Sequence, residues 1–309
     1  MSDVIESIKK YVLNAIAERA HSMPELIPSE YWIDFARNFS YVYELNEKEL
    51  NRIRFHTYHL TSDFYLTYYF ADEAFKNLLK SGYRHFVDRN QFDLLEEGED
   101  GIGVETEFGR ISHDLLRYLG VTSDLIDAGL LDSDTPKSVI EIGGGYGGLA
   151  RAHLTHNPKT TYFICDLEET MFFSAVYLSK HFGAYKVHLV ERVLKSSDIE
   201  QGHVYIVPQS KIEYLDELQF DYSISQQSLQ EMTQKQVERY LEWIAKHAIQ
   251  LYSCNISDHA ALANSKQLVL NLPMLLNLHF STPVWHGVEP LEHERFGDNH
   301  LLRAVYKCH

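Results

Sequence analysis

The stretch at residues 143–148 carries the clearest chemical signal in this sequence. It holds five glycines and one tyrosine, directly after a short β-branched run at 139–142 and just before an apolar helical segment that begins near Leu149. Glycine lets a backbone approach a ligand closely, and a helix N-terminus offers unbonded N–H groups and the positive end of its dipole. The pattern therefore predicts a strand, a tight turn and a helix that together hold a nucleotide-type cofactor.

The spacing of these glycines fits two cofactor-binding patterns. Gly143, Gly145 and Gly148 satisfy the G-x-G-x-x-G fingerprint of dinucleotide-binding folds, which is a weak match in a turn this rich in glycine. Together with Glu141 and Gly147, the turn also forms an E-x-G-x-G-x-G pattern. This second pattern resembles motif I of the S-adenosylmethionine-dependent methyltransferases that have a Rossmann-like sheet.

The resemblance to these methyltransferases implies roles for several polar residues. Asp166 ends the second predicted strand and would bind the ribose hydroxyls, as either cofactor pattern requires. Glu141 would hold the methionine amino group, directly or through water, and an acid at this position favours the methyl donor over a nicotinamide or flavin. Gln209 is the candidate adenine contact. Gln227 and Ser228 would bind the methionine part of the cofactor or the acceptor.

Three stretches resemble a bacterial family assigned as sugar O-methyltransferases. They are Ser-Leu-Gln-Glu-Met at 228–232, Tyr-Ser-Cys-Asn at 252–255 and Arg-Phe-His-Thr-Tyr-His at 54–59. The resemblance covers most of the chain from about residue 31 and implies methyl transfer to a sugar hydroxyl, on a nucleotide sugar or a surface-polysaccharide precursor. Two alternatives stay open: a non-sugar small-molecule acceptor, and a subunit that binds the cofactor without catalysis. An NAD-dependent oxidoreductase is the least favoured alternative.

Three side chains are candidates for a general base. A sugar hydroxyl is a weak nucleophile at neutral pH, and a positioned base typically accelerates such a reaction by about 10²–10⁴-fold. The candidate bases are Glu231, which follows the fourth predicted strand, His56 and His286. The candidate acceptor contacts are Arg54, His59, Ser228 and the stacking platform Trp285.

No metal site is predicted. Two adjacent acids stand at 168 and 169, and histidines and glutamates cluster at 286–294. However, residues 226 and 227 are glutamines, at a place where a metal-dependent version would often carry carboxylates. The 17 histidines show no recognised ligand spacing.

The elements that must position these residues follow an α/β pattern after residue 136. Strands are predicted at 139–142, 160–165, 187–190, 204–207, 220–225 and 249–253, the fourth of these being either a main strand or an insertion. Helices are predicted from about 149, at 168–181 and after a capping box at Thr233 and Gln236. Strands at 267–272 and 301–306 would close the sheet as an antiparallel pair. The predicted fold class is therefore a mostly parallel, Rossmann-like methyltransferase sheet with an antiparallel last strand.

The N-terminal part of the chain has a different character. Residues 1–135 are predicted to form a helical, aromatic-rich domain that binds the acceptor or acts as a lid, and residues 136–309 the cofactor-binding domain. Helices are predicted at 4–17 and from a Ser112 N-cap to Gly120, and the acidic loop at 96–101 is predicted to be solvated. The aromatic region could supply a homodimer interface or cover the active site, and both interpretations stay open.

Composition and charge limit the class of partner. The formal net charge of −16 disfavours nucleic acid, which normally needs a basic surface, so the expected partner is a small-molecule acceptor. No apolar run approaches the roughly 20 residues that cross a bilayer, and no secretory signal is seen. The three cysteines are far apart in the chain, which favours a reducing, cytoplasmic location over a disulfide framework.

Overall fold

The computed structural model describes residues 2–19, 26–57, 60, 71–89, 95–256, 272–287 and 301–308. The helices are α1 (Ser2–Arg19), α2 (Glu30–Phe39), α3 (Glu47–Leu50), α4 (Glu73–Asp88), α5 (His113–Asp127), α6 (Gly148–His156), α7 (Glu168–Phe182), α8 (Gln234–His247) and α9 (Leu272–His279). The strands are β1 (Val104–Thr106), β2 (Gly109–Ile111), β3 (Ser138–Ile142), β4 (Thr161–Asp166), β5 (Val187–Leu189), β6 (Val204–Pro208), β7 (Tyr222–Gln226), β8 (Gln250–Ile256), β9 (Trp285–His286) and β10 (Leu301–Lys307). None of the described helices is long and apolar enough to cross a membrane.

Eight of these strands form one sheet in the order β5-β6-β4-β3-β7-β8-β10-β9. The strands from β5 to β8 pair in parallel, whereas β10 is antiparallel to both β8 and β9. β4 and β7 lie on opposite sides of β3, so the direction in which the chain crosses the sheet reverses there. In parallel sheets, ligands bind at the carboxyl ends of the strands beside such a switch point.

Both faces of the sheet are covered, which explains why β4 is buried along its whole length. Successive side chains of a strand point to opposite faces. Tyr162 and Ile164 of β4 therefore join one hydrophobic core, with apolar residues of α1, α5, α6 and α7. Phe163 and Cys165 join a second core, which includes residues of α8 and α9.

The N-terminal region packs directly onto the sheet. α1 contributes Ile5, Ile8 and Val12 to the same core that contains Val139 of β3, and it contacts α7 along its length. The hydrophobic core thus continues across the predicted boundary at residues 135 and 136. The division into two domains stays a prediction.

Most of the predicted elements are confirmed, with the strand at 204–207 lying inside the sheet beside β4. Both predicted N-caps are also confirmed. The Ser112 hydroxyl accepts a hydrogen bond from the Leu115 amide at 2.9 Å, and Thr233 and Gln236 form the capping box of α8.

Three predictions about elements differ from the structure. α5 runs through Gly120 to Asp127, because its apolar residues are buried on both sides of that glycine. The acidic loop at 96–101 is not wholly solvated, since Glu97 is buried against Arg54. The strand predicted at 267–272 lies outside the described residues except for Leu272, which begins α9, and β10 is flanked instead by β9 at 285–286.

Candidate cofactor and active site

A cavity of about 510 Å³ lies at the carboxyl ends of β3, β4, β6 and β7, beside the switch point of the sheet. Ligand pockets typically measure about 300–1,000 Å³. Its lining combines the glycine turn, three carboxyl groups, one guanidinium, several amides and an aromatic wall. The lining residues are Pro28, Ser29, Trp32, Phe35, Leu60, Arg117, Tyr118, Glu141, Gly143, Gly144, Gly145, Cys165, Asp166, Leu167, Thr170, Gln209, Gln226, Gln227, Ser228, Glu231, Met232, Gln236 and Tyr240.

The glycine turn has a backbone that other residues would adopt only with strain. Gly143, Gly145 and Gly147 have φ angles of 81°, 55° and 87°, which lie in the left-handed region. A Cβ added at Gly143 would lie 2.0 Å from the Ser228 hydroxyl oxygen, so glycine is needed for the loop after β7 to approach the turn. The turn ends where α6 begins at Gly148, as the sequence predicted.

Asp166 joins the end of β4 to this turn. Its Oδ2 accepts a hydrogen bond from the Gly145 amide at 2.6 Å, and its Oδ1 accepts one from the Leu167 amide at 2.6 Å. The residue is 8% exposed, and burial raises the pKa of its carboxyl group to about 6. The Thr170 side chain also bonds to this carboxyl group, and because a carboxylate can accept about four hydrogen bonds, capacity for a ligand hydroxyl remains.

Glu141 lies deeper in the cavity wall and is 2% exposed. The Tyr162 hydroxyl donates a hydrogen bond to its Oε2 at 3.0 Å. Burial, together with repulsion from the nearby Asp166 carboxylate, raises the pKa of this carboxyl group to about 8. A ligand cation beside Glu141 would favour its ionised form.

Glu231 is the one predicted general base that lines the cavity within the described part of the chain. It ends the short turn Leu229–Glu231 that follows β7. The Trp32 side chain forms a hydrogen bond with its carboxyl group, and burial raises the pKa of that group to about 8. The Ser29 hydroxyl lies 3.4 Å from the Glu231 carbonyl oxygen, so the segment that begins α2 meets the loop after β7 here.

The loop after β7 also contributes amide groups to the cavity. Gln227 has a φ of 52°, uncommon for a residue other than glycine, and its Oε1 accepts a hydrogen bond from Arg117 at 3.0 Å. The Gln226 Nε2 is buried, lines the cavity, and has no hydrogen-bond partner among the described residues. Such a donor fits a ligand oxygen, because buried polar groups are usually paired.

Gln209 lies in the cavity wall, but its side-chain amide is already bonded to protein groups. Its Nε2 donates to the Leu26 carbonyl oxygen at 2.9 Å, and its Oε1 lies 3.3 Å from the Tyr240 hydroxyl. Gln236 donates similarly to the Ile27 carbonyl oxygen at 2.7 Å. These two glutamines therefore hold the segment before α2 in the cavity wall. Because both ends of the Gln209 side-chain amide are bonded to protein, little of its hydrogen-bonding capacity remains for an adenine ring.

Arg54 is buried away from the cavity lining. It lies 3.3 Å from carboxylate oxygens of both Glu97 and Asp114, and its guanidinium stacks 4.0 Å above the Tyr146 ring centroid. Its contacts are those of a structural ion cluster. The predicted contact with the acceptor is therefore not supported by its position.

Three more of the predicted residues, His56, His286 and Trp285, are also absent from the cavity lining in the described part of the chain. His56 lies 3.0 Å from the Tyr41 hydroxyl, and burial lowers the pKa of its imidazole. His286 is exposed on β9, and Trp285 packs with its ring centroid 6.4 Å from that of Tyr252. His59 lies outside the described residues. Only Ser228 of the predicted acceptor contacts lines the cavity in the described structure.

The structure adds lining residues that sequence reasoning did not identify. Arg117, on α5, is the single cationic side chain among the described residues that line the cavity. Its signal in the sequence was a lone arginine in an apolar helix. Trp32 is one of many aromatic residues in the N-terminal region, and nothing in the sequence around it distinguishes it from aromatic residues that fill the core. The two adjacent acids at 168 and 169 both form ion pairs with Arg19.

The fold is a Rossmann-like α/β fold. A parallel sheet with a glycine turn after its central strand is extended by an antiparallel strand placed between β8 and the edge strand β9. This confirms the fold class predicted from the sequence. No protein-family model matches the chain, and no curated protein matches it.

Several solved structures resemble the chain at low identity. A pyocyanin biosynthetic protein, PhzM, is 14% identical with a TM-score of 0.42, over 62% of this chain and 56% of its own. Mitomycin 7-O-methyltransferase is 14% identical with a TM-score of 0.42, over 63% and 54%. Magnesium protoporphyrin IX methyltransferase from Synechocystis PCC 6803, solved with bound S-adenosylhomocysteine, is 14% identical with a TM-score of 0.43, over 75% and 98%. The chain thus spans little more than half the length of the first two, and these likenesses concern the fold alone.

Proposed function

We propose that the chain is an S-adenosylmethionine-dependent methyltransferase that binds its cofactor in this cavity. The observation that carries the proposal is the set of ionisable groups in the lining, where the carboxyl groups of Glu141, Asp166 and Glu231 accompany a single cation, Arg117. S-adenosylmethionine carries a sulfonium and an ammonium group, and such cations favour the ionised form of carboxyl groups beside them. The pyrophosphate of a dinucleotide would meet only one cation among the described lining residues, and its negative charge would disfavour ionisation of the same carboxyl groups. The lining therefore supports the methyl donor over NAD.

The residues present fit this cofactor. Asp166 would bind the ribose hydroxyls through the acceptor capacity that its two backbone bonds leave. Glu141 would hold the ammonium group, and Gln226 or Gln227 the methionine carboxylate. When bound, S-adenosylmethionine supplies a methyl group activated by the adjacent sulfonium. The turn at 143–145, which has no side chains, would let the cofactor approach the backbone closely.

The acceptor in this proposal is a sugar hydroxyl, on a nucleotide sugar or a polysaccharide precursor. Trp32 offers an apolar ring face of the kind that sugars stack on, and Ser228 and Gln227 offer hydrogen bonds nearby. Glu231 would take the proton of the hydroxyl as it attacks.

A non-sugar acceptor and a non-catalytic subunit are the competing alternatives. A cytoplasmic location, which three cysteines that form no disulfide favour, is part of the proposal, and a homodimer stays a prediction.

Calorimetric titration with S-adenosylhomocysteine, S-adenosylmethionine and NAD⁺ tests the cofactor assignment. Asp166→Asn should weaken binding of both adenosyl ligands by about 10–100-fold, because each loses hydrogen bonds to a charged group. Asp134→Asn, at a residue 84% exposed in its side chain, is the matched control and should bind like wild type. Tighter binding of NAD⁺ than of either adenosyl ligand would overturn the proposal.

Transfer of labelled methyl groups to two panels of acceptors tests the reaction. Nucleotide sugars form one panel and phenols the other. Methylation confined to the sugars supports the proposed acceptor, and methylation confined to phenols replaces it with the aromatic alternative. Tight cofactor binding with no transfer to either panel would favour the non-catalytic alternative.

A further inference from the structure

A group of metal-ligating side chains lies at the far edge of the sheet, outside the cavity lining. It consists of His188 on the edge strand β5, and Glu200 and His203 in the turn that leads into β6. Their ligand atoms all lie within 4.8 Å of one another. None of these residues has a role in the methyltransferase proposal.

The two histidines already face each other. His188 Nε2 lies 2.8 Å from His203 Nδ1, and the two rings are inclined by only 12°. The Glu200 Oε2 lies 3.8 Å from His203 Nε2. Zinc–ligand bonds of about 2.0–2.1 Å keep the ligand atoms of a tetrahedral site about 3.3 Å apart. Small side-chain rotations would therefore bring one nitrogen of each histidine and one carboxylate oxygen around a single ion.

The backbone that carries these side chains is anchored to the sheet. The Glu200 amide donates to the Tyr205 hydroxyl at 2.7 Å, which ties the turn to β6. The His203 carbonyl oxygen accepts from the Tyr162 amide of β4 at 3.0 Å. Between them, Gly202 has a φ of 75°, and a Cβ there would lie 2.7 Å from the Pro158 carbonyl oxygen. The turn is thus held in the shape that presents Glu200 and His203 on one side.

The donor set indicates the kind of ion. Two imidazoles and one carboxylate suit Zn²⁺, which accepts three protein ligands and leaves a fourth position for water. Imidazole binds metal in its neutral form. Glu200 is 67% exposed in its side chain, so an ion can reach the site from solvent.

We propose that His188, Glu200 and His203 form a Zn²⁺ site that fastens the edge strand β5 to the turn before β6. β5 is only three residues long and half-buried throughout, and within the described sheet it pairs with β6 alone, at the sheet edge. A bound ion would cross-link two segments that are 12 to 15 residues apart in the chain. The site would stabilise the folded state, because the ion binds folded protein in preference to the unfolded chain.

Zinc titration of the EDTA-dialysed protein tests the proposal without any need for enzymatic activity. Wild type should bind Zn²⁺ at this site and show a raised Tm with the ion present. His188→Gln and Glu200→Gln should each weaken this binding by at least about tenfold and abolish the rise in Tm. His85→Gln, at an exposed histidine on α4, is the matched control and should keep both effects.

The variants also distinguish zinc binding at this site from zinc binding by other histidines of the chain. Because Glu200 is mostly exposed, Glu200→Gln should fold normally, and far-UV circular dichroism checks this. Binding of Co²⁺ should give the visible bands of four-coordinate cobalt in wild type but not in His188→Gln. Unchanged zinc affinity in both Glu200→Gln and His188→Gln, or no zinc binding by wild type, would overturn the proposal and leave a plain hydrogen bond between the histidines.

Discussion

At the scale of single residues, the cavity holds three carboxyl groups whose pKa values are all raised by burial. The pKa of Asp166 rises to about 6, and those of Glu141 and Glu231 rise to about 8. Perturbed carboxyl groups that converge on one cleft are typical of functional sites. Their partners differ: Asp166 is bonded to backbone amides, Glu141 to a buried tyrosine, and Glu231 to a tryptophan at the cavity wall. The differences suit three separate tasks.

Glu231→Gln should lower methyl transfer by about 10²–10⁴-fold, because the amide cannot take the acceptor's proton. A general base works in its ionised form. In wild type, kcat/KM should therefore rise with pH and level off above about pH 8, the pKa of Glu231 in the free protein. With S-adenosylmethionine saturating, so that its ammonium group holds Glu141 in the ionised form, the glutamine variant should lose this rise. Steady-state kinetics between pH 6 and 9 gives both results.

Glu242→Gln, on the exposed face of α8, is the control for this substitution and should behave like wild type. Affinity for S-adenosylhomocysteine should change little in Glu231→Gln, which separates a role in proton transfer from a role in cofactor binding. A Glu231→Gln variant with wild-type kcat/KM at every pH would exclude this residue as the base.

At the scale of elements, three loops meet at the carboxyl ends of the strands. The glycine turn follows β3, Asp166 ends β4, and the loop of Gln227 and Glu231 follows β7. Their convergence was predictable, because the carboxyl ends of parallel strands share one edge of the sheet. The segment before α2 was not predictable as a wall of the cavity. Gln209 and Gln236 hold it there by bonds to backbone carbonyl groups, and backbone groups leave no signature in a sequence.

Gly145→Ala should weaken cofactor binding at least about tenfold and cost about 1–2 kcal/mol of stability. The stability cost follows from its φ of 55°, because a side chain in the left-handed region is strained. Among the described residues, a Cβ at this position comes no closer to protein than 3.8 Å, at the Leu60 carbonyl oxygen, and both residues line the cavity that would hold the cofactor. Calorimetry and urea unfolding measure the two effects.

Gly129→Ala is the matched control for the turn. Gly129 has a φ of 71°, no atom of the described residues lies within 4 Å of an added Cβ, and Gly129 is not among the described lining residues. It should lose similar stability while cofactor affinity stays at the wild-type value. Equal loss of affinity in both variants would mean that Gly145 acts through stability and has no close approach to the cofactor.

At the scale of the whole molecule, a buried ion cluster joins the N-terminal region to the helix that contacts the site. Arg54 pairs with Glu97 and Asp114, and Asp114 also pairs with Arg117 at 3.2 Å. Arg117 in turn holds Gln227 in the cavity. A continuous set of contacts therefore links the residues near 54 to the loop after β7.

Arg54→Met should lower the free energy of unfolding by about 3–5 kcal/mol, because it leaves two buried carboxylates without their shared cation. Arg37→Met removes an arginine whose ion pair with Asp34 is exposed, at 77% and 79% of the side chains, and should cost no more than about 1 kcal/mol. Urea denaturation of both variants measures the difference. A loss below about 1 kcal/mol in Arg54→Met would contradict the structural role assigned to this cluster.

The sequence by itself determined the fold class and the positions of Glu141, Asp166 and Glu231 at the cavity. Each of these residues lies on a strand of the parallel sheet or in the segment just after one. The signals for these strands and for the glycine turn are local in the chain. Tertiary structure alone decided that Arg54 is buried in an ion cluster, that Trp32 lines the cavity, and that His188 meets His203. Burial and pairing depend on contacts between residues far apart in sequence, so residue type and spacing could not reveal them.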